Sequence, residues 1–324
     1  MTPTQVMLGT LSDNAIRCAT GVMLLAMAVY AARWAMDRER VTASAPAARE
    51  FAPALVGAAA SADVPGTDVP PTTGGVAERT RRAETLGRVA FNLLLLAGAV
   101  LVVGVVLRGV AAERVPWSNM YEFATAGSAG IFLVYMGARS RLRLHWLDFG
   151  LSFFLLVMLG LATTVLYTPV SGLIPALQSY WLAIHVTAAV TGTAVFSVGF
   201  LITVMQLVRI RQESAGRPSR LPASASMDTA AYRLNAFAFP IWTFALIAGA
   251  IWAQHAWGRF WGWDPKEVWM FITWVSYACY LHARATPGWR RRLPWIGVVA
   301  YATIFFNLVV VNVFITGLHS YAGV

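Results

Sequence analysis

The feature that most constrains this chain is a series of apolar stretches, each close to the roughly 20 residues a helix needs to cross a bilayer. Eight occur in order: Ile16–Met36, Val89–Leu107, Met120–Met136, Leu147–Leu166, Trp181–Val208, Ala236–Gln254, Val268–Leu281 with its flanks, and Trp295–Thr316. Within hydrocarbon, each segment must satisfy its own backbone hydrogen bonds, so stretches of this length become helices. Of 324 residues, 58% are hydrophobic and 12% are charged, about half the charged share of a soluble chain. That excludes a soluble enzyme and a disordered protein. The expected fold is an all-α integral membrane protein with about eight transmembrane helices in one bundle.

The arginines between the stretches orient the bundle. Alternate loops hold 20 of the 25 basic residues: eight from Arg33 to Arg88, three from Arg139 to Arg143, five from Arg209 to Arg233 and four from Arg284 to Arg292. The other set holds Arg17, Arg108, Arg114, Arg259 and Lys266, the one lysine of the chain. Basic loops stay in the cytoplasm, so both termini are expected on the outer side, as an even number of spans requires. The net charge of +10 marks topology, and its dispersal in short clusters argues against nucleic acid as a partner. Cys18 and Cys279 lie far apart in apolar stretches with no CxxC, which argues against a thiol–disulfide carrier.

Three regions follow. Residues 1–36 form an N-terminal transmembrane helix. Residues 37–87, with "SADVPGTDVPPTTGG" at their centre, read as a disordered cytoplasmic linker. Residues 88–324 form the main membrane domain, with a tryptophan-rich segment at 252–274.

That segment carries six of the thirteen tryptophans. An interfacial aromatic belt accounts for two or three of them. Gly258 and Gly262 between the indoles let rings and backbone approach a flat ligand closely. In "WDPKE", Asp264 is placed to cap a helix, with Pro265 at its first position and Glu267 three residues after the cap. Lys266 offers an ammonium to an anionic group such as a propionate.

The histidines separate by location. His185 and His319 fall at the outer ends of the fifth and eighth stretches, flanking the tryptophan segment. A lone histidine near a membrane is more often interfacial or hydrogen-bonded, but two around an aromatic platform suit axial haem ligation. His282 lies near the cytoplasmic end of the seventh stretch, where an ionisable group is a functional candidate; interfacial snorkelling beside Arg284 is the alternative. His145 reads as solvated, and His255 is ambiguous. Glu122 reads as an acidic residue favoured by the positive end of a helix. No catalytic side chain is assigned.

The run "AWGRFWGWDPKEVW" resembles the WWD signature of haem-handling proteins. With "WSNMYEF", "LQSYWLAIHV", "YLHAR" and "GLHSYAG", the stretch from Val89 onward is similar to the CcsA/ResC family of System II cytochrome c biogenesis, named CcsB in many actinobacteria. His255 and the alanine-rich linker depart from that pattern. The resemblance implies a multi-pass protein of the bacterial plasma membrane that exports haem b as cargo. It further implies a ResB-type membrane partner and attachment of haem to apocytochrome c at CxxCH, as part of a cytochrome c haem lyase complex. His185 and His319 become the outer axial ligands and His282 an intramembrane ligand whose opposite ligand the partner supplies. Trp257, Gly258, Trp261, Gly262, Trp263, Asp264, Pro265, Lys266, Glu267 and Trp269 become the haem cradle. The rivals are a transporter of another planar or amphipathic substrate and a haem-bearing quinol oxidoreductase subunit.

Overall fold

The computed structural model describes residues 2–43, 73–171 and 179–319. Among the described residues the chain is all helical. The helices are α1 (Pro3–Ala43), α2 (Thr73–Ala112), α3 (Met120–Arg141), α4 (Asp148–Thr164), α5 (Tyr180–Ser214), α6 (Ser224–Trp257), α7 (Pro265–Ala285), α8 (Leu293–Phe305) and α9 (Val311–Phe314). A five-residue π-helical turn, Phe306–Val310, joins α8 to α9. The ends of the expected linker are helical, in α1 and α2; its residues 44–72 lie outside the described residues.

α4 shows why these helices belong in a membrane. Leu151, Leu155 and Leu159 are fully buried against the bundle, while Phe153, Val157 and Leu161 on the opposite face are exposed. A helix that is apolar all round is stable at the surface only when lipid is the solvent. By length and composition, six segments can cross a membrane: Pro3–Met36, Thr80–Ala112, His145–Thr164, Tyr180–Ser214, Ser224–Trp257 and Leu293–Phe314. The other two expected spans fall on α3 and α7, of 22 and 21 residues. Both are long enough, but their ends are more polar.

α1 packs along α2, and α5 along α6. α3 joins the two pairs by packing on α5, and α8 closes on α5 and α7. One core runs through all of them and includes the buried Tyr135, Phe196, Trp242 and Tyr277. Phe196 stacks on Tyr277 at a centroid distance of 3.6 Å. This packing brings the starts of α5 and α7 and the ends of α6 and α9 to one end of the bundle.

Candidate functional site: two histidines around a buried tryptophan

The site is built on the helix cap that "WDPKE" encodes. Asp264 is the N-cap of α7, Pro265 is in the first turn, and the reciprocal Glu267 bond completes a capping box. Glu267 Oε2 accepts from the N–H of Asp264 at 3.1 Å and of Gly262 at 2.9 Å. The cap is therefore where the sequence places it. Upstream, Trp257 ends α6, and Gly258 takes the left-handed conformation, φ +73°, that ends a helix at low cost. A side chain at Gly262 would collide with the guanidinium of Arg259.

Asp264 does more than cap. Its Oδ1 accepts from the N–H of Leu318 at 2.7 Å, and its Oδ2 accepts from His319 Nδ1 at 2.7 Å. One carboxylate thus fixes the start of α7 and the segment after α9. Gly317 permits this approach, because a Cβ there would stand 2.6 Å from Asp264 Oδ1. Burial opposes ionisation of the Asp264 carboxyl. The bonds from His319, Leu318 and Lys266 outweigh that and hold it below the ordinary carboxylate range.

His185 is held from the other side. Its Nδ1 donates to the carbonyl of Ala245 on α6 at 2.8 Å. A carbonyl can only accept, so in the neutral ring Nδ1 carries the hydrogen and Nε2 keeps its lone pair. Space for the ring comes from Gly249, where a Cβ would lie 2.7 Å from His185 Cε1 and Nδ1.

The two imidazoles meet at one indole. His185 is parallel to Trp252 at 6.1 Å and 8°, and His319 packs edge-on to it at 5.5 Å. Trp252 is 1% exposed, so this wall is inside the protein. Trp257 closes over His319 at 4.9 Å. The remaining tryptophans of the segment divide. Trp261 and Trp263 pair edge-to-face in the connecting loop, where Trp263 is 74% exposed on a left-handed backbone, φ +60°. A non-glycine residue there stores about 1–3 kcal/mol of strain. Trp269 stacks on Phe306 of the π turn at 3.8 Å, and Trp274 bonds to Thr243 on α6.

His185, His319 and the cap residues 264–267 thus come together. His282 does not join them: it is exposed near the far end of α7, about 26 Å along the helix from Pro265 at the α-helical rise. His255 and His145 are exposed as well.

Two groups escaped the sequence reading. Asn312 on α9 accepts from Lys266 Nζ. Glu122 is more than a helix-end charge; it is fully buried at the centre of an ion network. Arg108 Nε and Arg114 Nη1 donate to it at 2.9 and 2.7 Å, and Arg108 Nη1 reaches Asp13 at 3.2 Å. Arg108 also donates to the Thr168 carbonyl at 2.6 Å. The available signal was an arginine immediately after the second apolar stretch, with one acid just before the first stretch and one in the third.

Residues 117–320 match the cytochrome C assembly protein family. The cytochrome c biogenesis protein CcsA of Chlamydomonas reinhardtii is 34% identical over 229 residues, covering 68% of this chain and 65% of that protein. The CcsA of Prochlorococcus marinus is 31% identical over 260 residues, covering 71% of this chain and 82% of that protein. Among solved structures, cytochrome c heme lyase CcmF superimposes with a TM-score of 0.54 at 16% identity, over 95% of this chain and 47% of CcmF. At that identity the likeness is one of fold. The family match spans more than half of the chain, and the Chlamydomonas reinhardtii CcsA is at least 30% identical over more than two thirds of it; the protein belongs to the cytochrome c assembly family, within its CcsA/ResC group.

Proposed function

We propose that this protein exports haem b across the bacterial plasma membrane and presents it on the outer face for attachment to apocytochrome c, together with a ResB-type partner. The coarser part, a role in cytochrome c maturation, follows from family membership. One observation carries the finer reading: His185 and His319, from distant parts of the chain, converge on Trp252 with each Nδ1 bonded to an oxygen.

Haem is the substrate here, and the donor set fits it. Neutral imidazoles bonded through Nδ1 present Nε2 to iron, indole faces suit a porphyrin plane, and Lys266 supplies a positive charge. The 20-to-5 division of basic residues supports an outer location for this end. His282 serves as the intramembrane ligand near the cytoplasmic side, opposed by a ligand from the partner.

The attachment adds each cysteine S–H of CxxCH across a haem vinyl group. A C–S bond forms, the hydrogen ends on the neighbouring carbon, and nothing leaves. The chain's part is to hold the porphyrin so that the vinyl edges meet the thiols, a proximity effect.

The test is the absorption spectrum of the protein purified with its partner, combined with cytochrome c maturation in cells. His185→Ala and His319→Ala are expected to lose the outer haem and block maturation, with recovery of the spectrum in imidazole. His282→Ala is expected to deplete a separate haem pool. Unchanged haem content and normal maturation in both outer variants would overturn the reading.

A further inference from the structure

Among the described residues, the cation beside the two histidines has no close counter-ion. Lys266 is in the first turn of α7, and its Nζ points inward to the amide oxygen of Asn312 on α9. Asn312 in turn contacts Met120 Sδ at the start of α3, at 3.1 Å. The ammonium is thus held between α7, α9 and α3 by a neutral acceptor. Among the described residues no carboxylate lies within ion-pair distance of it. Asp264 is in electrostatic range, but its oxygens already serve His319, Leu318 and the backbone N–H of Lys266. His185 is also within range of the Lys266 charge.

A withdrawn ammonium is costly unless an anion joins it. It has three hydrogens to donate, and Asn312 takes one. The geometry points to Lys266, presented by Asn312, as the subsite that binds a carboxylate of the substrate, so that this end of the bundle selects tetrapyrroles with free propionates. This deepens the reading above and rests on haem being bound by His185 and His319. Asn312 is the presenting group: the π turn sets the helix face it occupies, and its own amide N–H is bonded to the Leu308 carbonyl at 2.7 Å.

The experiment compares two probes on the full chain in detergent, in a His282→Ala background so that only the outer site titrates. Ferric haem and its dimethyl ester, whose propionates carry no charge, are titrated separately and followed at the Soret band. A hydrogen bond to a charged group predicts that wild-type Lys266 binds the free acid at least about tenfold more tightly than the ester. Lys266→Gln is expected to weaken the free acid and leave the ester unchanged, abolishing the preference. Lys266→Arg is expected to retain most of it, which covers the case where Lys266→Gln does not fold. A wild type without preference, or a preference that survives Lys266→Gln, overturns the subsite. Bis-imidazole haem bound without preference overturns the subsite alone, whereas no haem bound overturns the underlying reading as well.

Discussion

Asp264 Oδ2 and His319 Nδ1 stand 2.7 Å apart across 55 positions of sequence, joining the cap of α7 to the segment after α9. The carboxylate therefore has two separable duties. Asp264→Ser keeps a capping side chain but is too short to reach the imidazole. It is expected to keep the cap's share of the melting temperature, to lose what the His319 and Leu318 bonds add, and to bind haem weakly, with rescue by added imidazole. Asp264→Ala loses both duties and about 1 kcal/mol of cap stability besides. Thermal melts and haem spectra of the two variants separate the roles.

The same carboxyl sets a pH dependence. Its folded-state pKa lies below the ordinary value because of the bonds from His319, Leu318 and Lys266. Such a group stabilises the fold at any pH above the unfolded value, about 3.9, and the contribution fades as pH falls through the lower folded value. The melting-temperature gap between wild type and Asp264→Asn is expected to narrow as pH falls below about 4.

Gly249 tests the seating of His185. Alanine there places a Cβ 2.7 Å from the imidazole, so the ring must leave the Ala245 carbonyl or α6 must shift. Overpacking of this kind costs about 1–3 kcal/mol. Gly249→Ala is expected to lose haem much as His185→Ala does while retaining the His319–Asp264 pair. A normal haem spectrum in Gly249→Ala would show that His185 can bind from another position.

Arg108 anchors α1 to the family-matched region, since it bonds Asp13 on α1 and Glu122 on α3 with no exposure of its own. Removing one partner of a buried ion network costs about 3–5 kcal/mol, because the other charges remain buried. Arg108→Met is expected to lower the melting temperature sharply, and adding Asp13→Asn is expected to restore part of the loss. Equal melts for single and double variants would show that the pair is not coupled.

What the sequence made legible was local or periodic. The capping box could be read because its bonds span three residues, and the helices because each apolar stretch is continuous. The shared end of His185 and His319 followed from counting spans. Contacts between distant side chains had no such signal. Nothing in "WDPKE" indicates that Asp264 holds His319, and nothing near Arg108 names Asp13, 95 positions away. The tryptophans looked like one group, yet packing sends Trp252 and Trp257 to His319 and Trp269 to Phe306. Chain proximity says where residues gather, but side-chain direction assigns their partners.

The π turn at Phe306–Val310 has a consequence for how this end of the molecule tolerates change in length. Such a turn is equivalent to one residue inserted into an α-helix, and each residue advances the helix by about 100°. Deleting a single residue there would leave a continuous helix of the same apolar character. It would also swing Asn312 and everything after it around the axis, away from Lys266 and Asp264. The final helix is thus keyed by its phase, and a shortening invisible to hydropathy would uncouple the last histidine from the carboxylate that holds it.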